Sequence, residues 1–367
     1  MKTWIIKAGS SLLTNHGKGL DKVFISQWVE QVVALRKKGI NCILVSSGAV
    51  AEGLTRLGVS ERPHELHELQ AAAAVGQMGL IQNYEMQFQK HGIHTAQILL
   101  THDDLSNRQR YLNARSTLKT LVTKNVVPII NENDTIAIDE IRFGDNDTLA
   151  ALAANLLDAD QLVLLTDQDG LFTDDPRNNK NAEFIERAAA DDPKLLDMAG
   201  KGSAGKFGRG GMLTKIRAAQ RAALSGTATV IANGKRESVL LKIEAKEDKI
   251  GTWLMPEETP VTARKQWLAG HLQVKGTITL DEGACSAINN SGKSLLPIGV
   301  KKCEGNFNRG EAVLCVNSND EHIAIGLINY DSDESQKIIG KPSSEIEAIL
   351  GYIDDRELIH RDNLAII

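Results

Sequence analysis

The sequence predicts an α/β fold, an αβα sandwich with a mainly parallel sheet, followed by a small β-rich domain. Over the first two-thirds of the chain, short apolar runs alternate with helical patterns, which is typical of a parallel sheet covered by helices. From Gln273 onwards the pattern changes to short alternating segments separated by Gly, Asn and Asp turns. The 367 residues are enough for two domains, each with its own core.

The strands predicted in the first domain are short apolar runs. They occupy residues 3–7, 41–47, 94–100, 126–131, 160–166 and 227–232. Between them, the stretches 23–39 and 108–125 carry helical patterns that end in Lys followed by Gly or Asn, as helix C-termini often do.

The second domain is predicted from the segments 276–281, 311–316 and 322–328, which have the length and alternation of strands. Residues 256–272 contain two prolines and no clear period, so we predict a linker there. The predicted organisation is a first domain over 1–255, this linker, a second domain over 273–351 and a C-terminal tail over 352–367.

Composition and charge exclude several classes of protein. The net charge of −5 gives no general attraction to nucleic acid or to an anionic membrane. The N-terminal segment has the pattern of a strand rather than of a signal peptide, and no apolar run approaches the ~18 residues of a membrane span. We therefore expect a cytoplasmic protein. The four cysteines form no CxxC pair, so we expect reduced thiols rather than a disulfide or a zinc site.

Four of the predicted strands end in turns rich in Gly, Ser, Asn and Asp. These turns are Lys7–Ser11, Ser46–Ala49, Asn131–Asp134 and Thr166–Gly170. In open α/β sheets, ligands bind beyond the carboxyl ends of the strands. One such turn would be explained by turn propensity alone, but four at the same edge indicate a ligand site.

Three segments are suited to binding phosphate. Lys7–Ser11 and Ser46–Ala49 place backbone N–H groups at a helix start. Residues 208–215 combine glycines, which let the backbone approach phosphate oxygens, with Lys215 one turn later. The chain has no GxxxxGK[ST] and no GxGxxG after the first strand, so Walker and Rossmann phosphate sites are excluded.

Lys7 and Lys215 are candidates for two positive charges that flank a transferred phosphoryl group. Lys7 ends an apolar strand directly before a Gly-Ser turn, where a phosphate-binding cation belongs. The alternative is that the Lys7 side chain extends along apolar surface into solvent.

Acidic and amide side chains collect at the same edge: Asp134, Asp145, Asn146, Asp147 and Asp167. Asn146 or Asp147 would cap the helix that follows. The others could hold Mg²⁺, bind a substrate ammonium or orient the two lysines. None of the nine histidines falls in these turns. An already ionised substrate carboxylate would need no general base, so positioning and charge neutralisation would carry catalysis.

Seven motifs resemble, in order and spacing, those of the glutamate-phosphorylating branch of the amino-acid kinase family. They are KAGSSLL, LVSSGAVAEG, LLTHDDL with RYLNAR, PIINENDT, FGDNDTLAALAA, LLTDQDGLFTDDPR and GRGGMLTK. The segment from GTITLDEGACSAI to NRGE resembles the PUA domain, a small β-barrel found in many bacterial members. The resemblance covers nearly the whole chain. It implies ATP-dependent phosphorylation of the γ-carboxylate of L-glutamate to L-glutamyl 5-phosphate, the first step of proline biosynthesis.

The resemblance also implies roles for individual residues. Lys7, Lys215 and Asp147 would be catalytic, with the lysines on the phosphates and Asp147 organising them. Glutamate would be bound by Ser47, Asp134, Asp145 and Asn146. The nucleotide site would consist of Lys7, Thr166, Asp167, Arg209, Gly210, Gly211, Met212, Leu213, Thr214 and Lys215. Arg209 stands where the family more often has threonine, which would alter the nucleotide contacts.

The family further implies Mg²⁺ held largely by the ATP phosphates, with no protein ligand assigned. It implies feedback inhibition by proline, a homo-oligomer (dimer or tetramer) and hand-over of the product to glutamyl phosphate reductase. Sibling kinases acting on N-acetylglutamate, aspartate, carbamate or a nucleoside monophosphate are alternatives. Asp134 and Asp145 favour a substrate with a free ammonium group.

RNA binding is an alternative of another class, because PUA-like domains elsewhere bind RNA. Residues 273–351 contain 7 Lys and Arg against 11 Asp and Glu, whereas an RNA-binding face is normally basic. We therefore expect no nucleic-acid partner and no membrane partner.

Overall fold

The computed structural model describes residues 2–14, 19–136, 146–176, 178–200, 211–257 and 274–366. The chain divides into two compact units. The first comprises Met1–Ser106 and Asn113–Pro260, and the second comprises Asn107–Leu112 and Val261–Ile367. In the described parts of the chain, no helix is both long and apolar enough to cross a bilayer.

The described residues of the first unit contain ten strands. They are β1 (Lys2–Ala8), β2 (Ile40–Val45), β3 (Thr95–Leu100), β4 (Val127–Glu132), β5 (Gln161–Thr166), β6 (Leu171–Phe172), β7 (Phe184–Ile185), β8 (Arg187–Ala189), β9 (Ala228–Asn233) and β10 (Gly251–Met255). Eight of them form one sheet in the order β3-β4-β2-β1-β5-β9-β10-β8, while β6 and β7 pair separately. In the large sheet, only β9 and β10 are antiparallel among the described pairs.

The order of the strands puts a topological switch beside β1. The chain proceeds from β1 to β2 on one side and later places β5 on the other side. At such a point the connections diverge and leave a crevice at the carboxyl ends of the strands. The ends of β1, β2, β4 and β5 meet at this edge of the sheet.

Helices in the first unit are α1 (Ser10–Leu13), α2 (Lys22–Lys37), α3 (Ala49–Arg56), α4 (Leu66–Gln89), α5 (His102–Ser106), α6 (Arg108–Thr123), α7 (Asn146–Leu157), α8 (Lys194–Gly200), α9 (Met212–Ala223) and α10 (Val239–Ala245). Side chains alternate between the two faces of each strand. In β1, Trp4 and Ile6 pack with α2 and α4 in one core cluster. Ile5 is equally buried, and α7 also packs on β1. Both faces of the sheet are covered, so the αβα sandwich predicted from the sequence is confirmed.

The second unit is built on a five-stranded sheet in the order β12-β11-β13-β14-β15. Its elements are β11 (Val274–Leu280), α11 (Glu282–Ser291), β12 (Val300–Gly305), β13 (Ala312–Val316), β14 (His322–Leu327), α12 (Ser332–Ile338), α13 (Ile346–Leu350) and β15 (Leu364–Ile366). Its core includes Phe307, Tyr330 and Ile359. β15 lies in the stretch 352–367, which was predicted as a tail, and it pairs with β14 as an edge strand of this sheet.

Candidate active site

Lys7, Asp147 and Lys215 meet at the carboxyl edge of the sheet. Lys7 Nζ lies 2.5 Å from one carboxylate oxygen of Asp147, and Lys215 Nζ lies 2.9 Å from the other. Lys7 is the next-to-last residue of strand β1. Asp147 lies in the first turn of helix α7 and Lys215 in the first turn of helix α9. Elements separated by up to 208 residues along the chain (215 − 7) thus contribute one compact charge centre.

All three charged side chains of this centre are buried. The exposed fraction is 6% for Lys7, 1% for Asp147 and 4% for Lys215. Lys7 therefore does not extend into solvent, and the alternative reading of this lysine is excluded. Burial acts to raise the pKa of Asp147, but the charges of Lys7 and Lys215 and their hydrogen bonds outweigh it. The net result is a pKa well below the ordinary value.

The centre joins two ammonium groups to one carboxylate, and all three side chains are buried. A positive charge in a place that excludes water interacts strongly with an approaching anion. The centre is therefore suited to a phosphoryl group, whose charge it can neutralise without any rearrangement.

Thr214 holds Asp147 from the side of α9. Its hydroxyl donates to the Asp147 carboxylate at 2.9 Å and lies 2.8 Å from the backbone oxygen of Gly211. Gly211 caps α9 without a side-chain hydrogen bond, so the first backbone N–H groups of this helix are available to an anion. Thr214 and Lys215 thus contact Asp147 directly, and Gly211, Met212 and Leu213 precede them at the start of α9. Of the predicted nucleotide residues, Arg209 and Gly210 lie outside the described residues.

The turn after β1 and the end of β5 border the same centre. A Cβ built on Gly9 would lie 3.6 Å from Lys7 Nζ. Thr166 ends β5, is buried, and its hydroxyl lies 3.2 Å from Asp167, which is exposed. Because β5 pairs with β1 in parallel, the predicted nucleotide residues Thr166 and Asp167 follow the strand next to Lys7.

A second cluster is formed by hydroxyl and amide side chains. Asn146 Nδ2 lies 2.8 Å from the backbone oxygen of Ser46, 2.8 Å from Ser47 Oγ and 3.0 Å from Asn131 Oδ1. Asn131 Nδ2 donates to Gln77 Oε1 at 2.7 Å. The Ser46 hydroxyl and the Tyr84 hydroxyl are 3.1 Å apart. We call these residues the amide cluster.

The amide cluster adjoins the charge centre through the chain itself, because Asn146 and Asp147 are neighbours at the start of α7. Ser47 is followed by Gly48, whose φ of 101° is left-handed and suits glycine. This turn sends the chain from β2 directly into α3. Asp134 lies half-buried in the turn after β4. Asp145 lies outside the described residues.

The structure thus brings Ser47 and Asn146 together, and it brings Lys7, Asp147 and Lys215 together. Sequence reasoning assigned no role to Ser46, Gln77, Tyr84 or Asn131. Asn131 and Ser46 stood within predicted strand-end turns, so a signal existed for them. Gln77 and Tyr84 lie inside the long helix α4, and nothing in their local sequence marks them.

No group of three or more His, Cys, Asp and Glu side chains is placed to hold a metal ion among the described residues. Both carboxylate oxygens of Asp147 face lysine ammonium groups, which does not suit a Mg²⁺ ligand. The described donors therefore fit a metal that arrives on a phosphate ligand better than one held by a protein cage.

Comparisons with known proteins agree over the whole chain. The model of the amino acid kinase family matches residues 2–233, and that of the PUA domain matches residues 276–350. Glutamate 5-kinase from Hydrogenovibrio crunogenus is 60% identical over 365 residues, covering 100% of this chain and 96% of that protein. Glutamate 5-kinase from Pseudomonas aeruginosa strain UCBPP-PA14 is 59% identical over 366 residues, covering 100% and 98%.

Among solved structures, carbamate kinase from Giardia lamblia bound to AMP-PNP aligns with 69% of this chain and 98% of its own, at 17% identity and a TM-score of 0.49. The family models and the full-length relatives show the family of this chain. The chain belongs to the amino acid kinase family, in the branch of the glutamate 5-kinases, and carries a C-terminal PUA domain.

Proposed function

We propose that this kinase transfers the γ-phosphoryl group of ATP to the γ-carboxylate of L-glutamate, giving L-glutamyl 5-phosphate and ADP. The observation that carries the proposal is the buried centre of Lys7, Asp147 and Lys215. Support for the substrate comes from the glutamate 5-kinases to which the chain is similar along its full length.

In this mechanism the two lysines act on the phosphates. Charge spreads over the equatorial oxygens of the phosphoryl group during transfer, and pre-placed cations stabilise it there. Lys7 contacts one carboxylate oxygen of Asp147 and Lys215 contacts the other. The carboxylate therefore fixes the distance between the two ammonium groups. Asp147 needs no proton transfer for this role, because its lowered pKa keeps it ionised at neutral pH.

The acceptor needs no general base. A glutamate γ-carboxylate is already ionised at neutral pH, so an attacking oxygen is present once the substrate is bound. What the protein must supply is alignment with the phosphoryl group. Ser47 and Asn146 are the proposed substrate contacts, together with Asp134 for the ammonium group and with Asp145. Asn146 directly precedes Asp147 and contacts Ser47, which supports an acceptor bound beside the transferred group.

We propose Mg²⁺ as the metal, carried mainly by the ATP phosphates, where it would neutralise part of the triphosphate charge. Proposed further from the family are a place in proline biosynthesis, inhibition by proline, a homo-oligomeric state and transfer of the product to glutamyl phosphate reductase. An acyl phosphate hydrolyses readily, so a consuming reaction must follow promptly.

Hydroxylamine traps acyl phosphates as hydroxamates, which provides the test. The protein is incubated with ATP, Mg²⁺ and hydroxylamine, and with glutamate, N-acetylglutamate, aspartate or no acid. We expect hydroxamate with glutamate alone, reduced by added proline. Hydroxamate with another acid instead would move the substrate assignment to a sibling kinase. No hydroxamate with any acid, from folded protein that binds ATP, would reject the carboxylate-kinase proposal.

A further inference from the structure

Gln77, in the middle of α4, is a buried polar residue to which the proposed mechanism gives no role. Its side chain is 8% exposed, and its Oε1 accepts a hydrogen bond from Asn131. Its Nε2 is fully buried and has no partner among the residues that the structure describes. A buried N–H group without a partner lowers the stability of the fold. An apolar residue of similar size would avoid the cost of the unpaired Nε2. The presence of an amide here therefore suggests that its Oε1, which accepts from Asn131, has a role.

The hydrogen bonds of the amide cluster run in one direction. Asn146 faces the backbone oxygen of Ser46 at 2.8 Å, and a backbone carbonyl only accepts. The Asn146 atom at this point must therefore be the amide nitrogen. The same nitrogen faces Asn131, so Asn131 must present its oxygen there. Asn131 is then left with its nitrogen towards Gln77, which must present oxygen in turn.

This direction decides which groups remain for a ligand. Ser47 Oγ faces the Asn146 nitrogen, which cannot accept a hydrogen bond, so the hydroxyl proton of Ser47 can be donated elsewhere. Asn146 uses its nitrogen within the cluster, and among the described residues no hydrogen bond reaches its Oδ1, so this oxygen can accept from a ligand. A donor and an acceptor side by side are the complement of an amino acid, whose carboxylate accepts and whose ammonium group donates.

We propose that Gln77 is a positioning residue for the amino-acid substrate. By accepting from Asn131, it holds the amide of Asn131 in the one orientation that keeps the Asn146 nitrogen inside the cluster. Without this acceptor, the Asn131 amide can rotate by half a turn, so that its Nδ2 faces the Nδ2 of Asn146. Two amide nitrogens cannot hydrogen-bond to each other, and Asn146 is displaced. The inference rests on the proposed function in one respect, namely that the ligand of this cluster is an amino acid.

The test compares Gln77→Met with Gln77→Glu in the full-length chain, using the hydroxamate assay. Gln77→Met keeps the size of the side chain but removes the acceptor. We expect the KM for glutamate to rise about tenfold, equivalent to ~1.4 kcal/mol, with the KM for ATP unchanged. The Tm should change little, because the same substitution also removes the unpaired Nε2. Gln82→Met, on the exposed side of the same helix, is the matched control and should leave both KM values unchanged.

Gln77→Glu keeps an oxygen towards Asn131 and should hold the glutamate KM within about threefold of that of the unaltered protein. A Gln77→Met protein with unchanged glutamate KM would overturn the proposal. So would equal losses in the Met and Glu variants, or a parallel rise in the KM for ATP, since these would indicate a general structural role.

The proposed function and this inference fail in different ways. Absence of glutamate hydroxamate with the unaltered protein counts against the proposed function. The variant comparison is then made with whichever acid supports hydroxamate formation. If none does, the ligand-induced rise in Tm with glutamate replaces KM, and an equal rise for the unaltered protein and Gln77→Met would overturn the role of Gln77.

Discussion

Lys7, Asp147 and Lys215 place two positive charges and one negative charge where almost no water reaches. Burying an ion is costly unless its partners are close and well oriented. Here each carboxylate oxygen faces one ammonium group, and Thr214 adds a neutral donor. The carboxylate therefore holds two ammonium groups close together in a buried place, which suits a phosphoryl-transfer site.

Replacing Lys215 with alanine tests the proposed catalytic charge. We expect kcat for hydroxamate formation to fall about 10²–10³-fold, as when other pre-placed charge-stabilising groups are removed. The fold should persist, because Asp147 keeps Lys7 as its partner. Circular dichroism and Tm report on the fold, and Lys37→Ala on the exposed side of α2 is the control. A kcat close to that of the unaltered protein would remove Lys215 from the mechanism.

Replacing Asp147 with asparagine tests the electrostatics of the centre. The two ammonium groups lose their shared counterion, so the free energy of unfolding should fall by about 3–5 kcal/mol at pH 7. The pKa of Asp147 lies below its ordinary value of about 3.9. The stability that Asp147 contributes is therefore complete above that pH and is lost as the pH falls through the folded-state pKa.

Denaturant unfolding between pH 7 and pH 3 measures the difference between the unaltered protein and Asp147→Asn. The difference should stay constant down to about pH 4 and shrink below it. A difference that stays constant from pH 7 down to about pH 3 would mean that folding does not lower the pKa of Asp147. Asp191→Asn, at an exposed position, should show no comparable difference.

At the scale of elements, the contact between α3 and α4 supports the amide cluster. A Cβ on Gly53 would lie 1.7 Å from the backbone oxygen of Ala72, and a Cβ on Gly76 would lie 1.8 Å from that of Ala49. The two helices approach so closely that only glycine fits at these positions. α3 begins directly after Ser47 and Gly48, and α4 carries Gln77 and Tyr84. The close approach therefore brings both sides of the amide cluster together.

Gly53→Ala should force the helices apart. Overpacking of this kind costs about 1–3 kcal/mol or more, so we expect a lower free energy of unfolding by denaturant. The KM for glutamate should rise as well, because Ser47 moves with the start of α3. Gly283→Ala in α11 is the control, since its nearest contact would be 3.4 Å away and alanine is the better helix former. Equal stability of Gly53→Ala and the unaltered protein would show that the helices can separate without cost.

At the scale of the whole molecule, charge argues against a nucleic-acid partner. The chain carries a net charge of −5, and residues 273–351 have fewer basic than acidic side chains. Within the second unit, Lys302 lies 2.6 Å from Glu304, and Lys301 donates to Ser318. Phosphate contacts depend on unopposed Lys and Arg, and the charge of Lys302 is opposed by that of Glu304.

Filter binding with labelled RNA checks this for the full-length protein at roughly 0.15 M salt. We expect no retention above that of a protein without RNA-binding activity. Retention that weakens steeply with added salt would instead indicate phosphate contacts, and it would reopen the alternative of an RNA-binding second domain.

The two layers of helices around a mainly parallel sheet could be predicted, because six strands of the sheet are recognisable from their own residues, although β10 was not. Six predicted strands correspond to β1, β2, β3, β4, β5 and β9. The short strands β6, β7 and β8 were missed, because two or three residues give no periodic signal. β15 was missed because three residues in a polar stretch look like a tail, and only pairing with β14 makes them a strand.

The site could be predicted in part. Lys7, Asp147 and Lys215 stood out because each lies in or beside a glycine-rich or acidic turn at a strand end or helix start. Their roles, like those of Ser47, Asn146 and Asp134, stay predictions. Gln77 could not be found this way, since one polar residue in a helix is usually exposed and only tertiary packing shows that this one is buried.

The sequence by itself determined the type of the longer periodic elements and the residues carried to each strand-end turn, because the periodicity of apolar residues reports on the element in which they lie. Only the tertiary structure decided which elements are adjacent. β1 lies between β2 and β5, although β5 comes 153 residues later (161 − 8), and this order results from crossovers and packing over the whole sheet. The 2.5 Å contact of Lys7 with Asp147 and the one-way chain from Ser46 to Gln77 both follow from that adjacency.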